Sequence, residues 1–164
     1  MLRSAFLICA IAAASLTGLA QAAVHLSPPD VNGTRTLQDQ TAKAAISNYL
    51  EAWQGLRSAL EQNRIDLLDR DFVGTAKDKL ADTIRQQSTI GIQTKYEDEA
   101  HDIQIVFYSP EGLSMELTDS VEYNVELLDR DKSVGAQRVR DRYIVVMTPA
   151  ETRWRVRVFQ AVTE

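Results

Sequence analysis

One cysteine in 164 residues, with only two histidines and four prolines, leaves little of what builds the commoner reactive sites. Cys9 lies in an apolar N-terminal run, so thiol catalysis and disulfide stapling are not expected of the remainder. His25 and His101 stand far apart, without a His-x-x-x-His pair or an Asp-rich loop, so no metal centre and no cofactor is expected. Neither a Gly-x-Ser-x-Gly elbow nor a glycine-rich phosphate loop occurs. A basic excess is missing too. The net charge of −5 disfavours nucleic acid and anionic lipid as general partners.

What is present begins with a targeting segment over residues 1–22. Arg3 gives a short basic start, Phe6 to Leu19 is an apolar run, and Ala20-Gln21-Ala22 offers the small-x-small site that signal peptidase cleaves. The run is short for a bilayer span and no positive stop follows it, so the expectation is a cleaved signal peptide and an exported, periplasmic or secreted protein with no membrane attachment afterwards. A retained N-terminal anchor is the alternative. Residues 23–35, AVHLSPPDVNGTR, read as an extended leader, and 36–164 as one domain.

The domain opens in helical period. Ala42, Ala45, Ile46, Tyr49, Leu50, Trp53, Leu56 and Leu60 recur at three- and four-residue steps behind a candidate cap at Thr36. A shorter group, Ile65, Leu68 and Phe72, fits a two-turn helix that Gly74 ends. Ala76, Leu80 and Ile84 give a third helix up to Gly91. The period then falls to two. Ile103, Ile105 and Phe107 alternate with Gln104, Val106 and Tyr108, and the odd positions from Leu113 to Leu127 are largely apolar. The charged stretch 129–135, DRDKSVG, then connects to a hairpin made of AQRVRDRYIVVM, TPAE and TRWRVRVFQAV. If facing numbers sum to 301 across its turn, Met147 meets Trp154, Val145 meets Val156 and Tyr143 meets Val158. A sum of 264 between the 113–128 strand and the first strand of the hairpin, 136–148, would set Glu126 against Arg138, Asn124 against Arg140 and Glu122 against Arg142.

This order of elements, closing with RYIVVM…RWRVRVFQ, resembles the nuclear transport factor 2-like superfamily over roughly residues 36–163, and more narrowly its exported bacterial members. The resemblance implies an α+β fold of the SnoaL-like, ketosteroid-isomerase-like kind: three N-terminal helices packed on a curved antiparallel β-sheet, forming a cone. That superfamily includes isomerases, dehydratases, cyclases, transport adaptors and secretion scaffolds. Fold alone therefore assigns no activity.

Two acids interrupt the apolar phase, Asp119 between Leu117 and Val121, and Asp141 between Val139 and Tyr143. Buried carboxylates need partners or a raised pKa, and the latter suits a general base. With Tyr49, Trp53, Tyr123 and Tyr143 they compose a candidate pocket for a small apolar ligand; Asp141 is alternatively a partner for Gln160. His101, in the charged run YEDEAHD, reads as a solvated start to a strand. The other strand face sets Arg142, Arg155 and Arg157 beside Ile144, Val146 and Phe159, a composition suited to a homodimer or an envelope-protein contact. Two functions follow. The first is a non-catalytic binding or assembly domain working through its sheet face or a small pocket. The second is an isomerase- or cyclase-like enzyme with Asp119 or Asp141 as base and Tyr49 as hydrogen-bond donor.

Overall fold

The computed structural model describes residues 22–31, 33 and 35–162, so all of the expected 1–22 signal peptide except Ala22 lies outside the described residues. Strand β1 (Ala23–Leu26) comes first, then helix α1 (Asp39–Gln62), a single 3-10 turn (Ile65–Leu68) and helix α2 (Gly74–Thr89). Four long strands follow: β2 (Ile92–Tyr108), β3 (Met115–Asp129), β4 (Lys132–Pro149) and β5 (Trp154–Val162). They pair in sequence order as one curved sheet, antiparallel except that β1 joins β2 in parallel, Ala23 beside Ala100 and Leu26 beside Ile103. The extended leader is thus partly an edge strand.

The architecture is α+β with two α-helices, where the sequence pattern suggested three. The intended second helix ends after one turn because its downstream backbone is taken by the sheet: Val156 N–H donates to Asp71 C=O at 2.8 Å and Val73 N–H to Val156 C=O at 2.9 Å. Residues 71–73 thereby bridge the free edge of β5 at Val156. Helix α1 starts at Asp39 with Gln38 as its N-cap, so Thr36 does not cap it. Its inward row is Ala42, Ala45, Tyr49, Ala52, Trp53, Leu56, Ala59 and Leu60. The four alanines let the helix sit close to the sheet while the large residues reach into it. Across from them lie Ile103, Ile105, Met115, Leu117, Val121, Val145, Met147 and Val156, all 1% exposed or less. Burying each such side chain contributes on the order of 2 kcal/mol. At the far end of the helices Gln87 donates to Leu60 C=O and accepts from the Thr94 hydroxyl, which ties α1, α2 and β2 together.

Registers differ from expectation in an instructive way. Between β3 and β4 the pairs are Glu122 with Arg140, Asn124 with Arg138 and Asp119 with Tyr143, two residues from the sum of 264. A shift of two keeps every side chain on its expected face and changes only its partner. The cause is a tight turn in place of a seven-residue connection. Arg130 and Asp131 both take positive φ (49° and 63°), the conformation of a two-residue hairpin loop. Between β4 and β5, Met147 meets Val156, Pro149 meets Trp154 and Val145 meets Phe159, not the partners of the 301 register.

Bulges do more than shift. One residue is left unpaired at Glu99, Val106, Val134 and Arg157, and each extra residue swaps inward and outward parity beyond it. After Val106, Tyr108 is buried and Phe107 is 43% exposed, the reverse of the simple alternation. After Arg157, Phe159 turns inward to stack on Tyr143, ring centroids 4.6 Å apart.

Candidate functional site

Inside the cone the side chains of α1, β2 and β3 converge on one carboxylate. The Tyr49 hydroxyl donates to Asp119 Oδ2 at 2.7 Å, and His101 Nδ1 lies 2.7 Å from the same oxygen. His101 Nε2 is 3.9 Å from Asp98 Oδ2, and Asp98 in turn pairs with Arg57 at 3.1 Å. The Glu99 bulge makes this possible. Upstream of it the even residues Thr94, Tyr96 and Asp98 point inward, while downstream the odd residues His101, Ile103 and Ile105 do. Without the extra residue, Asp98 and His101 would face opposite sides of the sheet.

The network is sealed. Tyr49, His101 and Asp119 are 1%, 2% and 0% exposed. Burial by itself would depress the His101 pKa, but hydrogen bonds and charge from Asp119 and Asp98 outweigh it and raise the group to about 9. The trio therefore carries an imidazolium at neutral pH. Burial and next the Asp119 charge hold the Tyr49 proton far above its ordinary range.

Trp53 packs edge-on against His101, centroids 5.7 Å apart, and on its other side lines a recess of about 200 Å³ between the helices and the sheet. The remaining walls are Leu56, Arg57, Leu60, Leu80, Thr83, Tyr96, Tyr143 and Phe159. Beyond Tyr143 lies a second polar group: Tyr123 donates to Asp141 Oδ2 at 2.6 Å, and the Tyr123 and Tyr143 hydroxyls are 3.5 Å apart. Burial, followed by the hydrogen bond to Asp141, keeps Tyr123 protonated. Burial also pushes Tyr143 up to about 12, the Tyr123 bond pulling back and the Asp141 charge adding to the rise.

The whole outline can now be compared with solved structures. The intermembrane space region of chloroplast protein ARC6 superposes with a TM-score of 0.64 at 13% identity, covering 79% of this chain and 100% of that one. A putative scytalone dehydratase from Novosphingobium aromaticivorans gives 0.54 at 13% identity, covering 77% and 89%. The Kfla4162 protein of Kribbella flavida gives 0.52 at 11% identity, covering 74% and 91%. The chain has the nuclear transport factor 2-like fold. No family model and no curated protein sequence matches it.

Within that nuclear transport factor 2-like cone, the residues singled out from sequence divide into three groups. Trp53 and Tyr143 line the recess. Tyr49 and Asp119 are bonded to each other in the sealed interior and Tyr123 is buried against Asp141, so these four do not line it. Asp141 is half-buried and pairs with Tyr123; Gln160 stands opposite Ile144 instead. On the outer face, Arg142, Ile144 and Arg157 are exposed and Val146 is half-buried. Arg155 is withdrawn from that face, its guanidinium donating to the carbonyls of Asp69 and Phe72. Phe159 is on the inner side for the reason given above.

His101 corrects the sequence reading most. It is a buried partner of Asp119, not a solvated residue, because the strand already runs from Ile92 and His101 shares the parity of Ile103 and Ile105. That shared parity was the available signal. The charged letters around it concealed it.

Proposed function

We propose that this chain is a non-catalytic binding or assembly module that takes one ring-sized apolar group, from a small molecule or a partner's side chain, into the recess at Trp53, Tyr96, Tyr143 and Phe159. The observation that carries the reading is the sealing of the acid–base groups. Tyr49, Asp119 and His101 spend their hydrogen bonds on one another behind Trp53, whereas a catalytic acid or base must reach the proton it moves. The recess, about 200 Å³, is below the usual range for a whole small-molecule ligand and close to a cavity that accepts a single benzene ring. Export, and a homodimer or envelope partner on the Arg142 and Ile144 face, belong to the same proposal; the 1–22 segment and the exposure of those two residues support them.

A titration with toluene and with phenylacetate tests it, read by Trp53 fluorescence in a Trp154→Phe background. The expected result is a saturable one-to-one change for at least one ligand that Thr83→Phe, which fills the recess, abolishes with the fold retained by circular dichroism. No saturable change with either ligand overturns the recess as a binding site.

One observation favours the competing enzyme reading. Tyr143 lines the recess, and its hydroxyl lies 3.5 Å from that of Tyr123, which donates to Asp141, a chain of hydroxyls that would link the recess to a carboxylate. An isomerase activity abolished by Asp141→Asn with binding intact would decide for that reading.

A further inference from the structure

The edges of the sheet are covered only in part: β1 pairs with β2 from Ala100 to Ile103 and no further. Residues 71–73 meet β5 at one bridge, taking up the N–H and C=O of Val156. Strand β5, however, ends its ladder with Val162 beside Arg142. Among the described residues, β4 from Lys132 to Val139 therefore has β3 on one side and no strand on the other, a free edge about 27 Å long that the Val134 bulge interrupts, with Gly135–Val139 as its regular part. All of Lys132–Arg138 are exposed, and the small residues Ser133, Gly135 and Ala136 leave the backbone uncovered. Free edges of this kind are templates for strand addition unless something blunts them.

The two faces of that edge say what chemistry fits. On the convex face Arg138 bonds Glu99 and Glu122, and Arg140 bonds Glu122. Those carboxylates all lie toward β3 and β2, and the two guanidiniums remain 65% and 75% exposed on the open side, with Arg142 in the same row. On the concave face Gly135 stands opposite Leu127, and nothing lies within 4 Å of where a β-carbon on Gly135 would be. Leu127 is 42% exposed as a result, next to the half-buried Val125 and Val139. Two copies of this edge meeting about a two-fold axis would bring arginine rows together, which disfavours self-pairing.

We propose that the Lys132–Val139 edge of β4 docks an extended partner segment that alternates acidic and apolar residues, added as an antiparallel strand. Its acidic side chains pair with the open sides of Arg138 and Arg140, and its apolar side chains cover Leu127 across Gly135. This surface is separate from the recess. Strand β3 already shows the pattern, with Glu122, Asn124 and Glu126 facing outward and Val121, Tyr123, Val125 and Leu127 facing inward against β4.

The probe is accordingly a synthetic peptide of residues 120–128, SVEYNVELL, titrated into the folded chain by calorimetry beside a scrambled peptide of the same composition. We expect one-to-one binding of the first and not the second, weakening with added salt. The double variant Arg138→Glu, Arg140→Glu should lose about tenfold or more in affinity and regain it for a peptide with lysine in place of both glutamates. That rescue separates lost charge complementarity from lost folding. Thr83→Phe should leave peptide binding unchanged, which keeps this test independent of the recess. Equal binding of the two peptides, or of the two protein forms to the glutamate peptide, overturns the proposal. So does concentration-dependent self-association that survives Ile144→Glu, which removes the sheet-face contact, and that the peptide fails to displace.

Discussion

His101 carries a buried positive charge that only Asp119 and Asp98 make tolerable. Its folded-state value of about 9, against an ordinary 6.5, fixes the sign of the pH dependence. A raised value means that the folded state holds the proton more tightly, so this contribution is complete below pH 6.5 and is lost as pH climbs through about 9. Unfolding midpoints between pH 6 and 10 should fall across that window by an amount worth up to about 3 kcal/mol. His101→Gln should flatten the fall while lowering the maximum; a wild-type profile no steeper than the variant's would contradict the assignment. Asp119→Asn should be more damaging, about 3–5 kcal/mol by denaturant titration at pH 7, because it leaves an imidazolium buried with a poorer partner. At this scale the sequence told half the story. Asp119 stood out because β3 has no bulge near it and its odd residues stay inward throughout. His101 did not, since the charged letters around it masked the parity it shares with Ile103 and Ile105, and the extra residue at Glu99 hides that Asp98 faces in as well.

Elements were legible wherever a period ran unbroken. The stripe of α1 and the odd face of β3 are as the pattern implied, whereas β2, β4 and β5 each change phase at a bulge that no single residue type announces. The second helix failed for a different reason: Ile65, Leu68 and Phe72 do have helical spacing, but the backbone after Leu68 gains more by pairing with β5. Long-range pairing overrides local propensity there. The β3–β4 turn yields a prediction of its own. Arg130 occupies a left-handed conformation that costs a side chain about 1 kcal/mol and that asparagine tolerates, and glycine suits Asp131. Replacing the pair by Asn-Gly should raise stability by about 1 kcal/mol, seen as a higher urea midpoint at unchanged slope. An unchanged or lower midpoint would show that the turn is not under this strain.

Taken whole, the molecule is a packed body with a thinly covered arm. Helices α1 and α2 lie against β2 and β5, while the paired ends of β3 and β4 around Arg130, level with the start of β2, are left largely exposed. Few buried apolar groups anchor that extension, so local opening should be easier there. Amide hydrogen exchange should be faster over Lys132–Gln137 than over Leu117–Val121 in the free chain, and should slow over Lys132–Gln137 when the acidic peptide is bound. Uniform protection along the sheet would count against both the arm and its docking role. This division was visible in sequence only as strand length, because nothing in a strand's own residues says where its neighbour stops.

The spare residue in β2 has a last consequence, for how such a chain can change over evolutionary time. Glu99 contributes an exposed ion pair and one amide contact, so its identity is nearly free. Its presence is not. Deleting it, unlike exchanging it, would turn Thr94, Tyr96 and Asp98 toward solvent together, removing a recess wall and the histidine's second carboxylate in one event. Descendants of this chain are thus held to its length at a position where they are hardly held to its chemistry.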